Sequence, residues 1–525
     1  MATSTRIVNR FLKKFALLGA AAVFAATQIA GADDLIWNGA ATENYRWDGP
    51  KTETNLNWLS CINLDLTPAP GIANNNPFQN LTIGTTPAFW NPTGVGGVTE
   101  KALFDGTPTP VVLYGRTNID LLASNGPSGS NWHITAGDTA AALFSGQNSW
   151  LDIYVSANTT LTVSAVFDKQ SATNRPSLRL QGPVTGTLVL DAVNTFGGNI
   201  QWNNPCTVVA ATDEALGDGY LFVADSVSGD LHGALNMNSG QLVASDSFEI
   251  NPLRRVSISN GSLNAMAGKE LTFNGVISGT IVNIGGAWNG DLKGTGTVIL
   301  GGDNIYTGNT NIRYGTLVVA NTAGSATGIG NVIVNSGSTL ASNDTLGGDA
   351  AGGIILGVVT ANGGSNVSPG GAGIGTITVG AMNLNANANL NLDFTPCKLN
   401  DKVVLVNDDV HAAIVNIDTN TIFNINAIGN FSDDIYNIIV GADAIYFGGT
   451  LVDANFDFDL FKFNVFVDNV AFTIDPDVHS FEFGFDNGNL TLTIDGFGDG
   501  GCVPEPASLA LLGLGAIGLL ARRRK

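Results

Sequence analysis

Within residues 381–394 apolar and polar side chains alternate over thirteen positions. Met382, Leu384, Ala386, Ala388, Leu390, Leu392 and Phe394 fall on one side, and Asn383, Asn385, Asn387, Asn389, Asn391 and Asp393 on the other. A period of two is that of a strand with one buried face, so a single half-buried strand is predicted here. Elsewhere the pattern is shorter and recurs. Leu161-Thr162-Val163, Leu188-Val189-Leu190, Val298-Ile299-Leu300 and Leu317-Val318-Val319 are aliphatic runs bounded by Gly and Asn, which reads as strand, turn, strand, turn. No 3.6-residue period survives for more than a turn or two. Short apolar runs continue at 402–406 and 436–440, and the runs at 481–485 and 490–494 flank Asp486-Asn487-Gly488-Asn489. Asn-Gly at the centre of such a pair predicts a hairpin.

The strands repeat. Displaced by 110 residues, 185–210 lies on 295–320 without a gap, and ten of the 26 positions are identical: Thr185, Gly186, Thr187, Leu190, Asn194, Gly198, Asn199, Val208, Val209 and Ala210. Phe196 meets Tyr306, and 161–163 meets 271–273 upstream. One residue later in register, 215–219 meets 326–330. Strands this short cannot bury a face alone, so successive units must stack. Gly and Asn supply the positive-φ corners between them.

Composition agrees. Asp, Glu, Lys and Arg make up 13% of the 525 residues, about half the usual ~25%, and with 66 Gly this excludes a coiled coil or helix bundle. The net charge of −21 argues against a nucleic-acid partner. Eight of the 23 cations lie in 1–32 and 522–525, so 33–503 holds 15 cations against 43 acids and is more acidic than the whole.

Both ends read as addresses. Arg6, Arg10, Lys13 and Lys14 precede an apolar run from 15 to 29, and Ala30-Gly31-Ala32 follows. That order predicts a signal peptide over 1–32 cut by signal peptidase, with Ala30 and Ala32 as the cleavage residues. At the other end come Val503-Pro504-Glu505-Pro506, an apolar run from 507 to 521, and the basic stop Arg522-Arg523-Arg524-Lys525. Fifteen helical residues reach only about 22 Å, short of a ~30 Å hydrocarbon core, though local thinning allows anchoring. The cations would stay cytoplasmic and the body outside. This tail resembles the PEP-CTERM sorting signal of Gram-negative bacteria, with Pro504, Glu505 and Pro506 as its motif. The resemblance implies processing by an exosortase-type enzyme and release or membrane anchoring at the surface.

The second repeat copy runs from Gly294-Thr295-Gly296 through Asn304-Ile305-Tyr306-Thr307-Gly308 to Tyr314-Gly315-Thr316-Leu317. It resembles the autotransporter-associated β-strand repeat, which implies a right-handed parallel β-helix. The first copy departs from that pattern, with Pro205 and Cys206 where the second has Gly315 and Thr316. The expected organisation is a signal peptide over 1–32, a Trp/Asn/Pro-rich cap over 33–130 with Trp37, Trp47, Trp58 and Trp90, and a solenoid over 131–400. A further β region follows over 401–500, then the sorting and anchor segment over 503–525. The fold class is all-β, with a short N-terminal signal helix and a C-terminal hydrophobic helix.

Chemistry is sparse. His133, His232, His411 and His479 sit in no metal or catalytic motif, and Cys61, Cys206, Cys397 and Cys502 have no zinc-ligand spacing. Their disulfide pairing is not legible. Asp213-Glu214, Asp408-Asp409 and Asp475 with Asp477 are the acid pairs that a glycosidase would need. Asp453-x-Asn455-x-Asp457 begins like a calcium loop but has Phe458 and Asn464 where Gly and Glu are required. No catalytic, cofactor-binding or metal site is therefore assigned, and Ca²⁺ stays open without a named site. The expectation is an exported, non-enzymatic surface or matrix protein with a structural or adhesive role, its partners being extracellular polysaccharide or matrix. The alternatives are a polysaccharide lyase or hydrolase on a β-helix, and an autotransporter-like passenger lacking its own barrel.

Overall fold

The computed structural model describes the chain from 186 to 498 except 204, 219–232, 287–293, 344–351 and 407–411. Before 186 it describes strands from Asp34–Trp37 onward and a few residues beside them. The helices expected over 1–32 and 503–525 lie outside the described residues.

The architecture follows from the brevity of the apolar runs. The coils contribute short segments to three parallel sheets, with a turn in place of a strand at some corners. Trp150–Val155, Ser177–Leu180, Ile200–Trp202, Leu235–Met237, Val256–Ile258 and Ile277–Gly279 stack in order on the first face. Thr160–Val163, Thr187–Leu190, Thr207–Ala210, Gln241–Ala244, Gly261–Ala265 and Val282–Ile284 form the second. Phe248–Ile250, Glu270–Phe273, Thr297–Leu300, Thr316–Val319 and Thr339–Ser342 belong to the third. Register places like over like. Leu161, Leu188, Val208, Leu242 and Leu263 make one inward ladder, each with no exposed surface. The protein is an all-β parallel solenoid.

Later coils change how they turn the first corner. Ile354–Ala361 and Thr376–Leu384 are long strands that bend, shown by a register shift between Ile355 and Val358, and serve the first face and then the second. Twelve parallel pairings carry the second face from Asn131–Ala136 to Ala444–Phe447. At about 4.8 Å each they make a rod of roughly 60 Å. Parallel stacking continues on the third face to Lys462–Val467. There hairpins take over. Ser480–Asp486 and Asn489–Asp495 pair antiparallel, and Asn489–Asp495 also covers Asp434–Val440. Asn487 and Gly488 both have positive φ, as the Asn-Gly signal requires. Antiparallel closure blunts an edge that would otherwise template another chain.

Two expectations need correction. The alternation over 381–394 is not one strand. Thr376–Leu384 ends on the second face, Asn389–Phe394 begins on the third, and Asn387 turns the corner at φ 61°. Met382, Leu384, Ala388, Leu390, Leu392 and Phe394 are buried, but Ala386 sits half-buried in the turn. The two-residue period persists through the corner because both strands face one interior. The gap-free repeat alignment also slips. Thr187–Leu190 corresponds to Thr297–Leu300 at 110, but Thr207–Ala210 corresponds to Thr316–Val319 at 109. Val208 therefore matches Leu317, both inward and fully buried, not Val318. A slip of one residue exchanges the two sides of a strand, and burial fixes the register that identity missed.

Candidate functional site

The outer surface is built by the stacking itself. An Asn side chain carries both donor and acceptor groups, so one coil's amide serves the next. On the third face Asn391 Nδ2 donates to Ser368 Oγ at 2.8 Å, Asn424 Nδ2 to Asn391 Oδ1 at 2.7 Å, and Asn464 Nδ2 to Asn424 Oδ1 at 2.9 Å. Asn416 Nδ2 does the same to Asn383 Oδ1 on the second face, at 2.8 Å. The polar residues of the alternating pattern therefore form ladders along the rod.

Inside, two asparagines fix the coils. Asn194 Oδ1 accepts from Phe167 N at 2.8 Å and its Nδ2 donates to Ala215 O at 2.6 Å. Asn304 Oδ1 accepts from Ile277 N at 2.7 Å, and its Nδ2 donates to Ala326 O. Both are almost wholly buried, and each links the coil before to the coil after. Phe196 and Tyr306 follow them into the core. The Tyr306 hydroxyl bonds Thr310 Oγ1 at 2.6 Å, where the first copy has Phe196 and Ile200. Burial pushes the Tyr306 phenol up, with the Thr310 bond pulling it back. Gly217 and Gly328, both at positive φ, then pass so close to Phe196 O and Tyr306 O that a Cβ would collide.

Asp213, a sequence candidate, is buried in another role. Its carboxylate takes Arg254 Nε at 2.9 Å and Nη2 at 3.0 Å. The same guanidinium donates to Leu216 O, Gly233 O and Gly217 O. Burial raises the Asp213 carboxyl above its usual range, and Arg254 opposes this. Glu214 points to solvent. The two acids are therefore not a pair facing a substrate. Arg254 carried no sequence signal beyond being a lone cationic pair with Arg255 in a charge-poor stretch.

The remaining candidates scatter. Asp475 Oδ1 accepts from Asp477 N at 3.1 Å, closing an exposed turn, and His479 stacks on Phe497 with centroids 4.5 Å apart. Asp453 Oδ1 accepts from Asn455 N at 2.8 Å and Asp457 Oδ1 from Asp459 N at 3.3 Å. These carboxylates serve turns before a short 3₁₀ segment, Phe458–Leu460. Beside them an open cleft of about 690 Å³ is lined by Phe447, Phe456, Leu460, Asp453 and Lys462. Lys462 Nζ donates across it to Asn420 Oδ1 at 2.6 Å. Cys206 is buried and free, its thiol pushed up to about 12 by burial. Cys397 is disulfide-bonded. The side chain of His133, and His232, His411, Asp408, Asp409, Cys61 and Cys502, lie outside the described residues, as do the side chains of Trp37 and Trp58, residues Trp47 and Trp90, Ala30, Ala32 and the tail. Among the described residues no helix is long and apolar enough to cross a membrane.

Residues 503–525 match the PEP-CTERM protein-sorting motif. The tail is a PEP-CTERM sorting segment. That motif marks proteins exported and sorted to the cell surface or extracellular space by exosortase-type machinery. The match covers Pro504, Glu505, Pro506 and the four terminal cations, and no family match falls on the coils. The search of curated proteins returns no match to the chain.

Proposed function

We propose that this PEP-CTERM protein is a non-enzymatic structural or adhesive rod, displayed at the cell surface or held in the extracellular matrix. The observation that carries the reading is the set of Asn ladders. Their amides are bonded to one another along the axis, which makes a stiff, repetitive polar face rather than a convergent site. Repetition along a rod suits multivalent attachment to a repetitive polymer, where many weak contacts add through effective concentration. Extracellular polysaccharide is the partner of that kind. The excess of acids in 33–503 favours solubility of the rod outside the cell.

We also infer that the coils are of the autotransporter-associated β-strand repeat type. In Asn304-Ile305-Tyr306-Thr307-Gly308, Asn304 ties its coil to the one before and the one after, and the buried Tyr306 hydroxyl bonds Thr310 within the coil. The involvement of Asp213 with Arg254 speaks against the lyase or hydrolase alternative at that acid pair.

The test compares cells producing the full chain with cells producing a chain that ends at residue 502. Loss of surface-held protein and of cell-to-matrix attachment in the second strain supports the reading. Unchanged attachment overturns the adhesive role, and reducing sugars released by the purified protein overturn the non-enzymatic one.

A further inference from the structure

We infer that the cleft beside Phe458–Leu460 is a saccharide subsite, taking uncharged sugar units of the polymer to which the rod attaches. The inference rests on the polysaccharide reading above and gives that reading a place on the molecule.

The cleft is a product of loops held by the last coils. Asn420 sits at the corner between Ile414–Ile417 and Ile422–Ala427. Facing it is the hairpin that pairs Ala444–Phe447 with Thr450–Leu451, turned by Gly448 and Gly449 at φ 56° and 83°. Positive φ at both central residues is what a two-residue hairpin loop requires. The turn over 453–457 closes the third side. The enclosed volume, about 690 Å³, falls within the range of small-molecule sites, ~300–1,000 Å³.

A sugar ring has an apolar face of C–H groups and a rim of hydroxyls that both donate and accept. The lining matches both. Phe456 is half-buried, its ring held against Phe447, Phe458 and Phe461 with centroids 5.7, 5.4 and 6.0 Å away. A surface fixed in this way loses little freedom on binding. Leu451 and Leu460 beside it are each 51% exposed. The rim is polar. Asp453 and Asp457 each give Oδ1 to a backbone N–H of their own turn, which orients the carboxylates and leaves capacity for hydroxyl donors.

Charge narrows the ligand. Asp453 and Asp457 oppose an acidic sugar, and Lys462, held by its bond to Asn420 Oδ1 at 2.6 Å, opposes a cationic one. Position supports a polymer. Lys462 and Asn464 lie two apart on one strand and are both exposed. Asn464 carries the Asn391 and Asn424 ladder onto that strand. A chain lying along the ladder therefore reaches the cleft.

The test places the full chain, purified from the cell surface, on immobilised cellohexaose, xylohexaose and mannohexaose, with hexagalacturonic acid as the charged comparator. Binding to at least one uncharged glycan is expected, with little to the acidic one. Thr450→Trp, at an exposed hairpin position, should fill the cleft and abolish binding. Asp453→Asn and Asp457→Asn keep an acceptor for their turns but lose the charge-assisted bond, and each should weaken binding about tenfold. All three variants should unfold at the parent's midpoint. Undiminished binding by folded variants overturns the subsite and leaves the polysaccharide reading standing, since the polymer then binds elsewhere on the rod. Preference for hexagalacturonic acid, or binding to none of the four, also overturns the subsite. The wider reading falls with it only if whole matrix polysaccharide is not retained either.

Discussion

Asn194 and Asn304 stand 110 residues apart in sequence and make the same two hydrogen bonds on different faces of the solenoid. Asn194 joins Phe167 to Ala215 on the third face, and Asn304 joins Ile277 to Ala326 on the first. Their neighbours confirm the rotation: Thr187–Leu190 pairs within the second sheet and Thr297–Leu300 within the third. The unit that repeats is therefore a way of turning a corner and tying three coils together, and two different faces host it.

Asn304→Ala leaves a buried N–H and a buried carbonyl without a partner. Each such group costs about 1–3 kcal/mol, so denaturant unfolding should show a loss of about 2–5 kcal/mol. Asn194→Ala should cost a similar amount, and the two losses should add because the sites share no partner.

Tyr306→Phe strands the buried Thr310 hydroxyl and should destabilise by about 1–3 kcal/mol. Adding Thr310→Ile recreates the Phe196 and Ile200 pairing of the first copy. The double variant should recover most of the loss in the same unfolding measurement; a double variant weaker than the single one would contradict the equivalence of the copies.

Asp213→Ala removes the carboxylate that accepts two hydrogen bonds from the buried Arg254 guanidinium. Breaking a buried pair from one side costs about 3–5 kcal/mol, and the thermal midpoint should fall accordingly. Glu214→Ala, at an exposed position, should leave the midpoint near that of the parent.

Burial raises the Asp393 carboxyl above its usual value, and the Asn426 amide, 2.6 Å away, pulls it back. A carboxyl with a higher folded than unfolded pKa binds its proton more tightly in the folded state. Its stabilising contribution is complete below the unfolded value and is lost as pH rises through the folded one. The unfolding midpoint should therefore rise as pH falls from 7 toward 4. Asp393→Asn should flatten that slope, and an equally steep slope in the variant would assign it to other acids.

The Cys206 thiol donates to Gly186 O at 3.1 Å and is pushed up to about 12, chiefly by burial. The thiolate is the reactive form. A disulfide reagent at pH 8 should leave Cys206 unlabelled in the folded protein and label it fully after denaturation.

Much of the fold was legible because burial imposes periodicity on a strand. The runs at 161–163, 188–190, 298–300 and 317–319 are all strands, and the Asn487-Gly488 turn is where its chemistry placed it. The sorting tail was legible too, since its three parts act in order along the chain and need no fold. What misled were features common to different conformations. Ala386 keeps the alternation going through a corner, and the Val208, Val209 and Ala210 identities align residues that face opposite ways.

The sequence alone determined short strands, corners and the sorting tail, since each depends on neighbours within a few residues. Only tertiary structure decided which strand meets which. Stacking made Asn194 and Asn304 equivalent, brought Arg254 to Asp213 across 41 residues, and set Asp433 against Gly498 across 65. Those contacts exist because each coil returns the chain to its own surface about 4.8 Å further along, and no local pattern records where it returns.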